Sequence, residues 1–182
     1  NSPGDGRGHG TFVASIAAGS AERYTGVAPA AKLVSIDVLD DKGMGMTSDV
    51  IRAAQWILDN KATYNIRVAN FSLHASNASH FFHDPLDLAV EKLWFNGVTV
   101  VAAAGNYGRT DDGRMILGGI TSPGNSPYAI TVGATNTWGT GARSDDTVAT
   151  FSSRGPAPID FTVKPDLAAP GVRIVSLEAK NS

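Results

Sequence analysis

Cysteine is absent from the 182 residues, and with it disulfides, zinc–thiolate sites and cysteine-based catalysis; the redox compartment stays open. An excess of one charge is absent too. Fifteen Lys and Arg stand against 17 Asp and Glu, a formal net charge of −2, and no stretch is dense in Lys or Arg. Nucleic-acid binding therefore has little electrostatic support. No apolar run approaches the length that crosses a bilayer. There is no internal repeat, no linker and no signal peptide. The loop-like opening "NSPGDGRG" looks like a cut into something longer, so the missing leader says little about localisation. What is present is 42% hydrophobic and 18% charged residues, a globular composition. The length suggests one domain, able to bury about 70% of the surface its unfolded chain exposes.

Strand-like runs alternate with helical patterns. In "GRGHGTFVASIAAGS" (6–20), Val13, Ile16 and Ala17 share a helical face and Gly19 is a natural stop. "KLVSIDVL" (32–39) reads as a strand. A helix follows, with Thr47 or Ser48 as N-cap, Asp49 in the first turn and Val50, Ala54, Ile57 and Leu58 on one face. "IRVANFS" (66–72) is the next strand. Asp84 caps and Pro85 opens a helix carrying Leu86, Val90 and Leu93, which stops at Asn96-Gly97. "VTVVAAAG" (98–105) is a nearly continuous apolar strand, as expected where both faces are covered. "YAITVGA" and "GVRIVSL" supply two more. The alternation predicts an α/β fold: three layers, a mostly parallel sheet with helices on both faces. Ligands in such sheets sit beyond the carboxyl ends of the strands. Those ends carry Asp37-Val38-Leu39, Asn70-Phe71-Ser72 and Ala104-Gly105-Asn106.

Three features on this rim carry chemistry, each with a bland alternative. His9, between Gly8 and Gly10 at the first turn of a helix, is an aimed imidazole or merely a helix cap. Asn106, at the tip of a buried strand, offers an NH₂ donor suited to an oxyanion, or closes the turn "GNYG". Ser72-Leu73-His74, and Gly43 and Gly45 of "DKGMG", leave backbone open to an extended peptide, or form ordinary turns. A dinucleotide-binding domain would need its glycine-rich turn after a strand, and "GRGHG" follows none.

Together these segments resemble the subtilisin-like serine proteases, in order and over nearly the whole chain. "DGRGHGTFVASIAAG" resembles the catalytic-histidine motif. "GVAPAAKLVSIDVLDDKGMG" and "VANFSL" match the two walls of the substrate cleft. "VVAAAGN" matches the strand delivering the oxyanion-hole asparagine. "SPGNSPYAITVGA", "ATFSSRGP" and "KPDLAAPGV" match the run leading towards the nucleophile. The resemblance identifies residues 1–182 as part of a subtilisin-like peptidase domain. It implies an acyl-enzyme mechanism with an Asp-His-Ser triad, a polypeptide substrate and a secreted or extracytoplasmic setting. It invokes no cofactor, nucleic acid or membrane. A pseudo-protease or peptide-binding module of the same fold is the alternative.

Position by position, the resemblance makes His9 the general base and Asn106 the oxyanion donor. Lys42–Met46, with Gly43 and Gly45, and Ser72, Leu73 and His74 would flank the substrate backbone. Ala102, Ala103, Ala104 and Gly105 would line the pocket for the residue before the cut, their small size leaving room for a bulky apolar group. Asp5 is a candidate contact to a neighbouring substrate side chain, not the triad aspartate.

No Asp-Thr-Gly or Asp-Ser-Gly strand precedes His9, and no Gly-Thr-Ser-Met-Ala follows. Ser152, Ser153, Ser176 and Ser182 lack the nucleophile's context, so the 182 residues alone are expected to be inactive. The family's aspartate strand lies between the strands matching 32–39 and 66–71. Without it the two edges are expected to close on each other, to form a dimer, or to receive another chain.

Phe12, Ser15 and His74 depart from the family pattern, where a histidine, a glycine and a glycine are usual. The span from Ser20 to Gly26 looks too short and too poor in Asp and Asn for the family's calcium loop, so no metal is expected. "HFFH" (80–83) reads as an exposed loop rather than a metal site. Asn70 and Asn77 are formal glycosylation sequons, Asn70 expected to be buried. Ser122-Pro123 is a candidate cis bond.

Overall fold

The structure is a computed structural model and describes residues 5–179. Of these, 5–50 with 173–179 form one compact unit, and 51–172 the other. In chain order the elements are α1 (His9–Ala18), α2 (Thr47–Tyr64), β1 (Val68–Phe71), α3 (Pro85–Phe95), β2 (Thr99–Ala103), β3 (Ile130–Asn136), β4 (Thr147–Val148) and β5 (Leu167–Pro170).

The larger unit is built on a mostly parallel sheet. β1 pairs parallel with β2, β2 with β3, and β3 with β5; only β4 runs antiparallel. The carbonyls of β3 give the lateral order. Those of Val132 and Ala134 accept from Ala104 and Ala149, while those of Thr131 and Thr135 accept from Asp166 and Gly171, all at 2.9 Å. Successive carbonyls point to opposite edges, so β2 and β4 share one edge of β3 and β5 holds the other.

The β1–α3–β2 crossover follows its sequence signals closely. Asp84 accepts from the backbone N–H of Leu86 at 2.8 Å and Asp87 at 3.2 Å, and Pro85 opens the helix. Asn96 caps the end and Gly97, at φ 78°, leaves it. Leu86, Ala89, Val90 and Leu93 form the buried stripe, and α3 packs on β2. α2 starts at Thr47, so Thr47 is already helical rather than a cap, and Val50, Ala54 and Ile57 are buried as their spacing predicts.

Three readings are corrected. Residues 32–39 form no strand, and Leu33 and Val34 are exposed, because no neighbour supplies a ladder. "GVRIVSL" is also irregular; the strand falls just before it, at β5, where β3 offers free backbone groups. Asn70 is exposed, because β1 alternates exposed and buried and Asn70 shares the open face with Val68. The helix read over 6–20 is α1, with Gly19 at its C-cap; Ser15 is its buried residue, while Val13 and Ile16 are half-buried. The Ser122-Pro123 bond is cis, as read, and Gly155-Pro156 and Lys164-Pro165 are cis as well.

Candidate active site

Candidate residues fall in both units. In the smaller unit His9 is the first residue of α1, exposed, with Gly8 at φ 75° preceding it. The side chain fixing this turn is one the sequence reading assigned to substrate. Asp5 accepts from the Thr11 backbone N–H at 2.6 Å while its own carbonyl accepts from Gly8 at 3.0 Å. Asp5 therefore caps α1, and its hydrogen bonds from Thr11 hold its carboxyl below the usual range, aided by His9 nearby. An open depression of about 370 Å³ beside His9 is lined by Arg7, Phe12 and residues 176–178. Ser176 donates to the Phe12 carbonyl at 2.7 Å, so its hydroxyl serves the backbone.

Gly43 and Gly45 sit on a turn held by Asp40, whose carboxylate accepts from Lys42 and Met44 N–H, each at 2.9 Å. Gly43 has φ 77°, and Arg7 donates to the adjacent Lys42 carbonyl, bringing this turn to the residues just before His9. A side chain at Gly45 would strike the Val38 carbonyl at 2.2 Å, so glycine is required there.

In the larger unit the other candidates gather at the carboxyl ends of β1 and β2. Ala102, Ala104 and Gly105 are buried and Ala103 half-buried, while Asn106 is exposed at the tip. Gly105 turns at φ 97°, and a Cβ there would lie 3.0 Å from Ser153 Oγ. Ser153 N–H donates to the Gly105 carbonyl at 2.9 Å, and Ser153 Oγ accepts from Tyr107 N–H at 2.9 Å. Both residues flanking Asn106 are thus pinned to one buried serine. Ser152 is spent similarly, accepting from Ala134 N–H at 3.0 Å.

Ser72, Leu73 and His74 follow β1, half-buried. Next to them Ala75 donates to the Ser122 carbonyl at 2.7 Å and accepts from Thr121 Oγ1 at 2.6 Å. His74 Nδ1 lies 3.3 Å from the Ala75 carbonyl, and its ring meets Tyr107 edge-on at 4.9 Å between centroids. Tyr107 was not singled out in the sequence.

In "HFFH" His80, Phe82 and His83 are exposed and Phe81 is half-buried, and the loop is tied down. His80 Nδ1 is 2.6 Å from Asp160 Oδ1, and Phe81 N–H donates to Oδ2 at 2.8 Å. Burial raises the Asp160 carboxyl, but these partners outweigh it and hold it below the usual range. Among the described residues no group of three His, Asp or Glu is placed to hold a metal ion, and no helix is long and apolar enough to cross a membrane.

The fold and strand-end residues define a class: an incomplete subtilisin-like α/β fold with polar and small residues at the rim of a mostly parallel sheet. The Subtilase family model matches residues 1–182, and the chain belongs to that family. It is 41% identical to the serine protease AprX of Bacillus subtilis (strain 168), over 99% of this chain and 41% of that protein. It is 34% identical to subtilisin E of the same organism, over 94% of this chain and 39% of that one. Among solved structures it is similar to sphericase, with a TM-score of 0.78 and 31% identity, covering 98% of this chain and 57% of that chain. The chain thus spans about 41% of the length of its AprX relative.

Proposed function

We propose that this chain is part of a serine endopeptidase domain that cleaves polypeptides through an acyl-enzyme. His9 takes the proton from the attacking serine and returns it to the leaving amine. Asn106 donates its side-chain N–H to the oxyanion as the tetrahedral intermediate forms. Gly43 and Gly45, and Ser72, Leu73 and His74, offer backbone to the substrate by strand addition. Ala102 to Gly105 wall the pocket for the residue before the cut. The chemistry calls on no metal or cofactor, and the setting is secreted or extracytoplasmic. The supporting observation is Asn106: an exposed carboxamide at the tip of a buried strand, both flanking residues pinned to Ser153, in a chain of the subtilase family.

The 182 residues contain no Gly-Thr-Ser-x-Ala, and this favours a second reading for the polypeptide by itself: a peptide-binding module without hydrolysis. The two readings separate on one experiment. A protein that carries these residues together with a nucleophilic serine is treated with a fluorophosphonate and assayed on a peptide ester. It is expected to label and to turn over. His9→Ala is expected to abolish both, and Asn106→Leu to reduce turnover by about 10²–10³, a magnitude known for this donor in subtilisin rather than derived from this chain. The 182-residue polypeptide is expected to do neither. Labelling that survives His9→Ala would remove His9 from the mechanism.

A further inference from the structure

The segment proposed to take the substrate, Ser72 to His74, is fixed at both ends, and one end depends on a side chain. β1 pairs with β2 as far as Phe71 and Ala102, and the segment runs on beyond that ladder. Ala75 closes it. Its N–H donates to the Ser122 carbonyl at 2.7 Å, and its carbonyl accepts from Thr121 Oγ1 at 2.6 Å. The first bond joins backbone to backbone and needs no particular side chain. The second needs a hydroxyl at position 121.

That hydroxyl stands on rigid scaffold. Thr121 is 8% exposed, and its carbonyl accepts from Gly124 N–H at 2.8 Å and Asn125 N–H at 3.2 Å, which closes the turn it begins. The turn is tied to two elements. Ser122 Oγ donates at 3.1 Å to Asp84 Oδ1, at the N-cap of α3. Thr131 Oγ1, in β3, donates to the Gly124 carbonyl at 2.6 Å. Ser122 and Thr131 are both buried. A β-branched side chain is also stiff at χ1. The donor is therefore in place before any ligand arrives.

We infer that Thr121 is a positioning residue for substrate: by holding the Ala75 carbonyl, its hydroxyl keeps the backbone of Ser72 to His74 in one place for a peptide strand to add onto. This deepens the endopeptidase reading and rests on its assignment of those three residues to the substrate backbone. Thr121 touches no reacting atom in it and acts through Ala75. Strand addition draws its affinity from main-chain hydrogen bonds. A backbone that must be ordered on binding gives part of that affinity back. Slackening one end of the segment therefore penalises ligands long enough to lie along it, and spares those too short to reach it.

The test uses the catalytically competent protein that carries these residues, with a tetrapeptide p-nitroanilide that lies along the segment and a single-residue ester that does not. Rates are taken per fluorophosphonate-titrated site, so partial misfolding of a variant leaves the ratios intact. Thr121→Val keeps the shape and removes the donor, Thr121→Ala removes donor and branch, and Thr121→Ser keeps the donor. With valine or alanine the ratio of kcat/KM, tetrapeptide to ester, is expected to fall about fivefold, through KM rather than kcat, the size of one net hydrogen bond. Serine is expected to restore the ratio to within about twofold. An equal loss on both substrates shows a residue that serves the fold alone, and an unchanged ratio shows a hydroxyl without influence on the segment. Either result, or a serine variant as impaired as valine, overturns the role of Thr121 while titratable enzyme upholds the endopeptidase reading. Absence of any titratable serine in the unsubstituted protein brings down that reading and this role with it.

Discussion

Asp87 shows what one buried residue does to a pH profile. It lies in the first turn of α3, 1% exposed, with neither carboxylate oxygen in good hydrogen-bond geometry. Burial, and then the charge of Asp84, push its carboxyl up to about 7, although Ser122 and Asn125 lie beside it and pull the other way. The sign follows from proton counting. Between the ordinary carboxylate range and about 7 the folded chain holds a proton that the unfolded chain has released. Its stabilising share is full at acid pH and is lost as pH rises through that window. Ionising the folded carboxyl removes on the order of 4 kcal/mol. Asp87→Asn is expected to stabilise the chain at pH 8 and to flatten the decline between pH 5 and 8, read by urea unfolding at each pH. A decline that persists in the variant would place the titrating group elsewhere.

Asp5 works with the opposite sign. Its carboxyl is held low by the bonds from Thr11, so its share is present above the ordinary carboxylate range and lost as pH falls through its lowered value. Asp5→Ala is expected to cost about 1 kcal/mol, within the usual range for a lost cap. The expected signature in hydrogen exchange is faster opening of the first turn of α1. If the Thr11 amide is as protected in the variant as before, Asp5 is not the cap.

At the scale of elements, β5 depends on one lysine. Lys164 is 6% exposed; its Nζ donates to the Ala129 carbonyl at 2.7 Å and to Asp166 Oδ2 at 2.6 Å. Asp166 Oδ2 also accepts from Thr131 N–H at 2.7 Å. One ammonium thus ties the start of β5 to the start of β3. Lys164→Met keeps the volume but leaves the Ala129 carbonyl unpaired and Asp166 without its cation. The expected loss is about 3 kcal/mol, at the lower end for breaking a buried pair, because Asp166 keeps partial solvent. Thermal unfolding followed by circular dichroism reads it. A loss below about 1 kcal/mol would mean that the pair is already as well solvated as a surface bridge.

The elements also show which signals were legible. α3 was, because each of its boundaries is written locally: Asp84 and Pro85 at one end, Asn96-Gly97 at the other, with the stripe between. The strand at β2 and the tip carrying Asn106 were readable from the apolar run and its polar stop. Residues 32–39 were misread because a strand exists only with a neighbour, and apolar alternation cannot say whether one is present. The roles of Asp5, Ser153, Tyr107 and Lys164 lay out of reach for a related reason. Asp5 aside, each acts on a residue at least 35 positions away, and no local pattern records such a partner. Asp5 was near enough to read, but its proximity to His9 suggested chemistry where the backbone used it as a cap.

On the scale of the whole molecule, the open edge of β1 decides how copies of the chain behave together. Among the described residues β1 has one partner, β2. Thr99 N–H donates to the Arg67 carbonyl at 2.9 Å, so by alternation Arg67, Ala69 and Phe71 turn their backbone groups to β2. Val68 and Asn70 turn theirs outward. That edge is not blunted: Val68 is 57% exposed, and no proline or lysine stands on the strand. An edge of this kind pairs with another strand, such as one from a second copy. The purified 182-residue polypeptide is therefore expected to self-associate in a concentration-dependent way in sedimentation velocity. Asn70→Pro removes one outward N–H without touching a bond to β2, and Val68→Lys sets a charge on the edge. Each is expected to weaken association about tenfold, on the order of 1.4 kcal/mol, or one to two backbone hydrogen bonds. Variants that associate as strongly as the unsubstituted chain would show that copies meet through another surface. A chain that stays monomeric at hundreds of micromolar would show that the edge does not recruit a partner.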